Sequence, residues 1–144
     1  MTRLTEHFTL EELTFSETAQ KHKIDNTPNS KQYRNLLNLA VFLEKVRAYV
    51  SSPLVISSGF RSEEVNALVG GRKKSDHLDG RAADTKCSRI PIKQYFELLA
   101  DSDLAYDKII IEYGRWVHIS IPEEGKTARR LKLIIEANGE RAYG

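Results

Sequence analysis

Cysteine, long apolar runs and an excess of one charge are all scarce or missing in this sequence. Its 144 residues include a single cysteine, Cys87, so no internal disulfide can form and nothing requires an oxidising compartment. No stretch approaches the roughly 18–20 consecutive apolar residues that a membrane-spanning helix needs. The start, MTRLTEHFTLEEL, carries acidic residues where the apolar part of a signal peptide would lie. We therefore expect a protein made in the cytoplasm, with no signal peptide and no membrane span.

The charges nearly cancel, because 22 Lys and Arg residues stand against 20 Asp and Glu residues, for a formal net charge of +2. A dedicated nucleic-acid-binding protein is usually more basic, with clustered cations, so we expect no nucleic-acid partner. Apolar residues make up 40% of the chain and charged residues 29%, the balance of a globular protein. At this length we expect one domain over residues 1–144.

The first half of the chain predicts mainly helices. Helix-start signals at Thr9 and Ser16 predict two short helices between residues 9 and 22. Apolar residues spaced three or four apart predict a long helix with one core-facing side over 31–50. After a break at Pro53, the chain continues with a short buried strand.

The second half alternates strands with two further helices. That first strand is predicted over 54–60, and a helix over 62–69 ends at Gly70-Gly71, which supply a left-handed cap. A strand over 82–87 follows a polar loop. Cys87 lies an odd number of residues from Asp84, so we place it on the opposite, core-facing side of that strand.

The last third predicts a helix and three strands. Pro91 opens a helix over 91–102 from its first turn. The segments 106–113 and 116–121 are strands separated by a glycine-containing break, which indicates a hairpin. A last strand over 131–137 precedes a polar tail. These elements predict an α+β domain with a small antiparallel sheet flanked by helices.

Two histidines and one aspartate of the second half could together bind a metal ion. Zinc takes histidine nitrogen and carboxylate oxygen, and His77, Asp84 and His118 could supply three such ligands from a loop and two strands. Each residue also has an ordinary structural explanation. His118 could bond to backbone within its strand, Asp84 could pair with Arg81, and His77 could be a solvated loop residue.

Three stretches carry a resemblance to a known family, and they are Ser58-Gly59-Phe60-Arg61-Ser62, Ser75-Asp76-His77 through Asp84, and Trp116-Val117-His118. In order and spacing they resemble the signature of the zinc D-alanyl-D-alanine carboxypeptidase family. That family includes phage endolysins and bacterial dipeptidases that cut peptidoglycan stem peptides. The segment HFTLEEL and the later Asn26-x-Pro28 are similar to its small phage-type branch. The resemblance spans roughly residues 6–121.

The resemblance implies a fold, a cofactor and an activity. The fold would be that of the hedgehog/DD-peptidase zinc domains, with one Zn²⁺ per chain held by His77, Asp84 and His118. The activity would be hydrolysis of peptidoglycan stem peptides, either as a D,D-carboxypeptidase or as an L-Ala–D-Glu endopeptidase. The protein would then be an endolysin or prophage lytic enzyme, a monomer made in the host cytoplasm. It would reach the cell wall after release by a holin-like partner.

The general base is less directly indicated. Several members of the family carry an acid three residues before the last histidine, where this chain has Arg115, which cannot be a base. Glu112 matches the acid of the phage-type branch, while Asp79 and Asp107 are weaker alternatives. Metal-site chemistry needs such a carboxylate to take a proton from water and pass it to the leaving amine.

Strand geometry makes the Glu112 hypothesis testable. A three-residue hairpin loop, Tyr113-Gly114-Arg115, places Glu112 opposite Trp116 and Ile110 opposite His118, with all four side chains on one face. A two-residue loop would aim Glu112 away from the histidine. We therefore predict the three-residue loop or an equivalent bulge.

By resemblance, Arg61 and Ser75 would bind substrate. Arginine offers a planar pair of donors suited to a carboxylate, and Ser75 would add a hydrogen bond. The alternative is that Arg61 pairs with Glu63 or Glu64 at the start of a helix.

Two alternatives keep the fold and drop catalysis. One is a zinc-binding domain used for recognition, as in hedgehog signalling domains. The other is a virion structural protein with a vestigial site.

Overall fold

A computed structural model describes the whole chain, residues 1–144, as five α-helices, one 3-10 helix and six β-strands. The helices are α1 (Leu10–Thr14), α2 (Glu17–His22), α3 (Ser30–Val50), α4 (Glu63–Leu68) and α5 (Ile92–Ala100), with the 3-10 helix at Asp76–Asp79. The strands are β1 (Leu54–Ser58), β2 (Ala82–Cys87), β3 (Lys108–Glu112), β4 (Trp116–Ser120), β5 (Leu131–Glu136) and β6 (Gly139–Ala142). None of the helices combines the length and the apolarity needed to cross a membrane.

The six strands form one sheet in the order β1-β2-β4-β3-β5-β6. Four of the five strand pairs are antiparallel, and β3 with β5 is the parallel one. The α+β class is confirmed. The parallel pair was not predicted; it arises because the chain leaves β4, crosses back, and adds β5 on the free side of β3.

The two short helices at the start are confirmed, together with their starting residues. The Thr9 hydroxyl accepts a hydrogen bond from the Glu12 backbone N–H at 3.1 Å, and the Glu12 carboxylate accepts one from the Thr9 N–H. Ser16 accepts from the Ala19 N–H at 3.1 Å. These bonds satisfy amide groups that have no partner inside the helix.

The core lies between the helices and the back face of the sheet. Buried residues of α3 and α5 share one apolar cluster with the strand residues Ala83, Ile109, Val117 and Ile119. Cys87 belongs to the same cluster, as predicted. Because side chains alternate along a strand, the residues between these ones point to the front face, which is left free for chemistry.

Three local predictions need correction. The segment after residue 137 is not a polar tail, because Gly139–Ala142 forms β6 and pairs with β5 across a tight turn at Asn138. Pro91 precedes α5 as its cap and is not in its first turn. Of the two glycines after α4, only Gly70 is left-handed, with φ of 73°.

Candidate metal centre

Three separate elements bring two histidines and one aspartate together. His77 lies in the 3-10 helix, Asp84 on β2 and His118 on β4, where Asp84 and His118 are directly paired across the two strands. All three are buried, and their potential ligand atoms lie within 4.8 Å of one another. Asp84 Oδ1 is 3.3 Å from His77 Nε2 and 3.4 Å from His118 Nδ1.

The backbone fixes the orientation of the His77 ring. Its Nδ1 lies 2.7 Å from the Gly59 carbonyl oxygen, which can only accept, so Nδ1 donates and Nε2 is the ring nitrogen that faces Asp84. The Ser75 hydroxyl accepts from the His77 backbone N–H at 3.2 Å and starts the 3-10 helix. Gly80, with φ of 75°, ends it.

Gly59 is required by a close approach of two backbone segments. A Cβ at this position would lie 2.2 Å from the Leu13 carbonyl oxygen, although its φ is not in the left-handed region. The next residue, Phe60, donates its N–H to the same oxygen at 2.8 Å. The end of α1 therefore presses directly on the loop whose carbonyl holds His77.

The charge state of Asp84 suits a cation ligand. Burial alone would raise the pKa of Asp84, but His77 and His118 outweigh it and hold that pKa well below its usual range. Asp84 Oδ1 and His118 Nε2 are both buried with no hydrogen-bond partner. A buried acceptor without a donor, flanked by two imidazole nitrogens, is an arrangement that a bound cation completes, and the donor set fits zinc.

Arg61 contacts the metal-centre carboxylate. Its Nη2 donates to Asp84 Oδ2 at 3.4 Å, while Nε donates to the Ser58 hydroxyl at 3.2 Å and Nη1 to Asn66 Oδ1 at 3.3 Å. The alternative pairing of Arg61 with Glu63 or Glu64 is wrong, because Arg61 forms its ion pair with Asp84.

The alternative pairing of Asp84 with Arg81 is also wrong. Arg81 is buried and pairs with Asp76 at 3.1 Å and Asp79 at 2.9 Å. It also donates to the Ile121 carbonyl oxygen at 3.0 Å. Arg81 therefore ties the 3-10 helix to the chain beyond β4, behind the metal-centre residues.

Two asparagines support this site, and the sequence pattern did not identify either of them in that role. Buried Asn66 accepts from Arg61 and donates to the Arg72 carbonyl oxygen at 2.9 Å. Asn26 donates to the Thr14 and Phe60 carbonyl oxygens and accepts from a backbone N–H of the same loop. The Asn26-x-Pro28 motif gave a signal for one of them, whereas nothing in the sequence marks Asn66 as buried.

Glu112 faces the same side of the sheet as His118. The predicted three-residue loop is confirmed, with Glu112 opposite Trp116 and Ile110 opposite His118. Tyr113 and Gly114 take left-handed conformations, with φ of 56° and 64°, to make the turn. The Trp116 indole Nε1–H donates to Glu112 Oε2 at 3.2 Å.

The surroundings of Glu112 shift its pKa upwards. Burial raises the pKa of Glu112 above its usual value, and the negative charge of Asp84 raises it further. The two weaker alternatives lie elsewhere. Asp79 is bonded to Arg81, and Asp107 accepts four hydrogen bonds from Arg129, one from its backbone and three from its guanidinium.

Seven of the side chains described above line one cavity of about 560 Å³. They are Arg61, Ser75, His77, Asp84, Glu112, Trp116 and His118. Neither Asp79 nor Asp107 lines it. The arrangement offers three ligands for a cation, a carboxylate beside them with a raised pKa, and a guanidinium on the other side.

A comparison with protein-family models matches residues 6–120 to the family described as Peptidase M15. The matched range contains the three candidate metal ligands together with Arg61, Ser75, Glu112 and Trp116. No curated protein matches the chain.

Proposed function

Because the chain belongs to the Peptidase M15 family, which consists of metallopeptidases, we propose that it is a zinc peptidase that hydrolyses peptide bonds in peptidoglycan stem peptides. The observation that carries this proposal is the meeting of His77, Asp84 and His118 with Glu112 in one cavity. A metal cluster with no carboxylate beside it would support binding alone.

His77 Nε2, a carboxylate oxygen of Asp84 and His118 Nδ1 would hold one Zn²⁺ per chain. Zinc, when bound, lowers the pKa of a coordinated water towards about 7 and polarises a carbonyl group. The Gly59 carbonyl keeps His77 in the tautomer that ligates through Nε2.

Glu112 would act as the general base. It would take a proton from the attacking water and pass it to the leaving amine, a role that a pKa near the operating pH serves best. Burial and the Asp84 charge raise that pKa towards the useful range, and the Trp116 indole keeps the carboxylate oriented.

Arg61 and Ser75 would position the substrate. Arg61 lies on the Asp84 side of the cavity, with its guanidinium plane held by Ser58 and Asn66, and can donate to a substrate carbonyl or carboxylate. The Ser75 hydroxyl accepts from the His77 backbone, which leaves its own proton free to donate into the cavity.

In this proposal the protein is an endolysin or prophage lytic enzyme that works as a monomer. It would be made in the host cytoplasm and would reach the wall when a holin-like partner opens the membrane.

Substituting Glu112→Gln tests the proposal. The amide keeps the shape of the side chain but cannot take a proton, so we expect hydrolysis of purified peptidoglycan to fall by about 10²–10⁴-fold. Zinc content, measured on the same protein by elemental analysis, should stay at one per chain. Glu97→Gln, on α5 behind the sheet, is the matched control and should leave both values unchanged.

Other outcomes identify the alternatives. Full activity in Glu112→Gln would remove Glu112 as the base. Zinc binding without hydrolysis of any wall substrate by the unmodified protein would favour a recognition domain. Purification without stoichiometric zinc would favour a virion component with a vestigial site.

A further inference from the structure

The cleft continues past the metal centre on both sides. Beyond the 560 Å³ cavity, a second cavity of about 490 Å³ lies over β1 and β2 and is walled by the segment between α1 and α2. The two cavities share four lining residues, which are Arg61, Val69, Asp84 and Trp116. The metal-centre carboxylate therefore lies where the two cavities meet.

We name the two sides by their strands. The β3 arm is the part of the first cavity lined by Lys74, Lys108 and Tyr113. The β1 arm is the part of the second cavity that lies over Ser57 and Ser58 of β1. It is also lined by Glu17 of α2 and Lys86 of β2. Each cavity lies in the size range of sites that bury a ligand of several chemical groups, and each exceeds what one alanine residue would fill.

We propose that a peptide lies across the front face of the sheet with residues in both arms, so that the enzyme cuts an internal peptide bond. This inference rests on the proposed peptidase function. It distinguishes an endopeptidase from a carboxypeptidase, which releases a single terminal residue.

The positions of the arginine and lysine side chains along the cleft support cleavage of an internal peptide bond. A carboxypeptidase needs an asymmetric cleft, in which one side ends close to the metal at a cation that binds the terminal carboxylate. Here Arg61, the cation bonded to Asp84, lines both cavities at the place where they meet. Lysines stand in both arms, with Lys86 in one and Lys74 and Lys108 in the other.

Of these lysines, Lys108 is already engaged. Its Nζ lies 3.5 Å from Asp76 Oδ2, and its side chain is largely buried. Lys74 and Lys86 form no ion pair in the structure and are exposed. They are therefore the residues through which each arm can be tested without disturbing the metal centre.

The first experiment compares two N-acetylated stem pentapeptides that differ only in a terminal carboxylate or carboxamide. Products are identified by mass spectrometry. We expect the same internal bond to be cut in both, at rates within about threefold, because no terminal carboxylate is needed. The proposal would be overturned if the carboxamide peptide were cut at least about 100-fold more slowly than the carboxylate peptide. Release of the last residue alone would also overturn it. Failure to cut either peptide would instead count against the peptidase function itself.

The second experiment tests each arm with a charge reversal. Stem peptides are acidic, so Lys86→Glu and Lys74→Glu should each raise KM by about three- to tenfold with little change in kcat. Shortening the peptide at one end should abolish the effect of one variant and leave the other. Lys93→Glu, an exposed lysine on α5, is the matched control and should change nothing. An effect confined to a single arm on every peptide would show a one-sided cleft and overturn the proposal.

Discussion

Neighbouring groups shift the pKa of the Glu112 carboxylate in opposite directions. Burial and the charge of Asp84 raise its pKa, while His118 and the hydrogen bond from Trp116 lower it, because both stabilise the negative form. The group is a base only when ionised. Activity should therefore be present above the folded pKa of Glu112 and be lost as the pH falls through it.

The substitution Trp116→Phe tests the hydrogen bond between the Trp116 indole and the Glu112 carboxylate. The ring remains, but the Nε1–H that donates to Glu112 Oε2 is removed, so the pKa of Glu112 should rise and the acidic limb of the pH profile should move to higher pH. The measurement is kcat/KM against pH at constant zinc. An unmoved acidic limb together with a uniform loss of rate would assign Trp116 to packing alone.

At the scale of elements, the loop after β1 holds the site by its backbone. Its Gly59 carbonyl accepts from His77, and its Phe60 N–H donates to the end of α1. Arg61 then extends from the same loop to Asp84. One short segment therefore sets the position of one proposed metal ligand and contacts another.

Gly59→Ala should disturb both stability and metal affinity. The added Cβ meets the Leu13 carbonyl oxygen at 2.2 Å, which should cost about 2–3 kcal/mol in the free energy of unfolding. Because the loop must shift, its carbonyl no longer holds the His77 ring in place, and zinc affinity should also fall by about 10–100-fold. Urea unfolding and a zinc titration measure the two effects.

Gly125→Ala is the control for backbone strain. Gly125 has φ of 81° and open space around it, so alanine there should cost about 1 kcal/mol and leave zinc affinity unchanged. An equal loss of zinc affinity in the two variants would show that Gly59 does not act through His77.

The elements differ in how far the sequence alone predicts them. The β3–β4 register follows from the period of two along a strand and the length of one loop, so the juxtaposition of Glu112 with Trp116 was predictable. The partners of Arg61 were not, because Asp84 approaches it from a distant strand and nothing in the sequence marks Asn66 as buried. β6 was missed since its residues are polar and exposed, although Asn138 before Gly139 is a hairpin signal.

At the scale of the whole molecule, zinc would join three elements that the sheet alone holds only in part. His77 belongs to the 3-10 helix, whereas Asp84 and His118 are paired by the strands themselves. Binding to the folded chain and not to the unfolded one stabilises a protein by mass action. Stability should therefore depend on free zinc concentration.

Thermal unfolding measures this linkage. At about 100 times the dissociation constant, zinc should add about 2.7 kcal/mol and raise the Tm by about 10 °C over a chelator-treated sample. His118→Ala should abolish the zinc-dependent rise. His22→Ala, an exposed histidine on α2, should preserve it. A zinc-dependent rise that survives in His118→Ala would place the metal elsewhere.

The strand order also determines when the centre can be completed. β4 lies between β2 and β3 in the sheet although it is made after both. As the chain leaves the ribosome, His77 and Asp84 emerge first, and β2 keeps one edge unpaired until β4 inserts beside it. An unpaired edge invites pairing with other chains, so this interval exposes the newborn protein to aggregation. Insertion of β4 ends that exposure and delivers His118, so that metal uptake marks a chain in which β2 has gained its second neighbour.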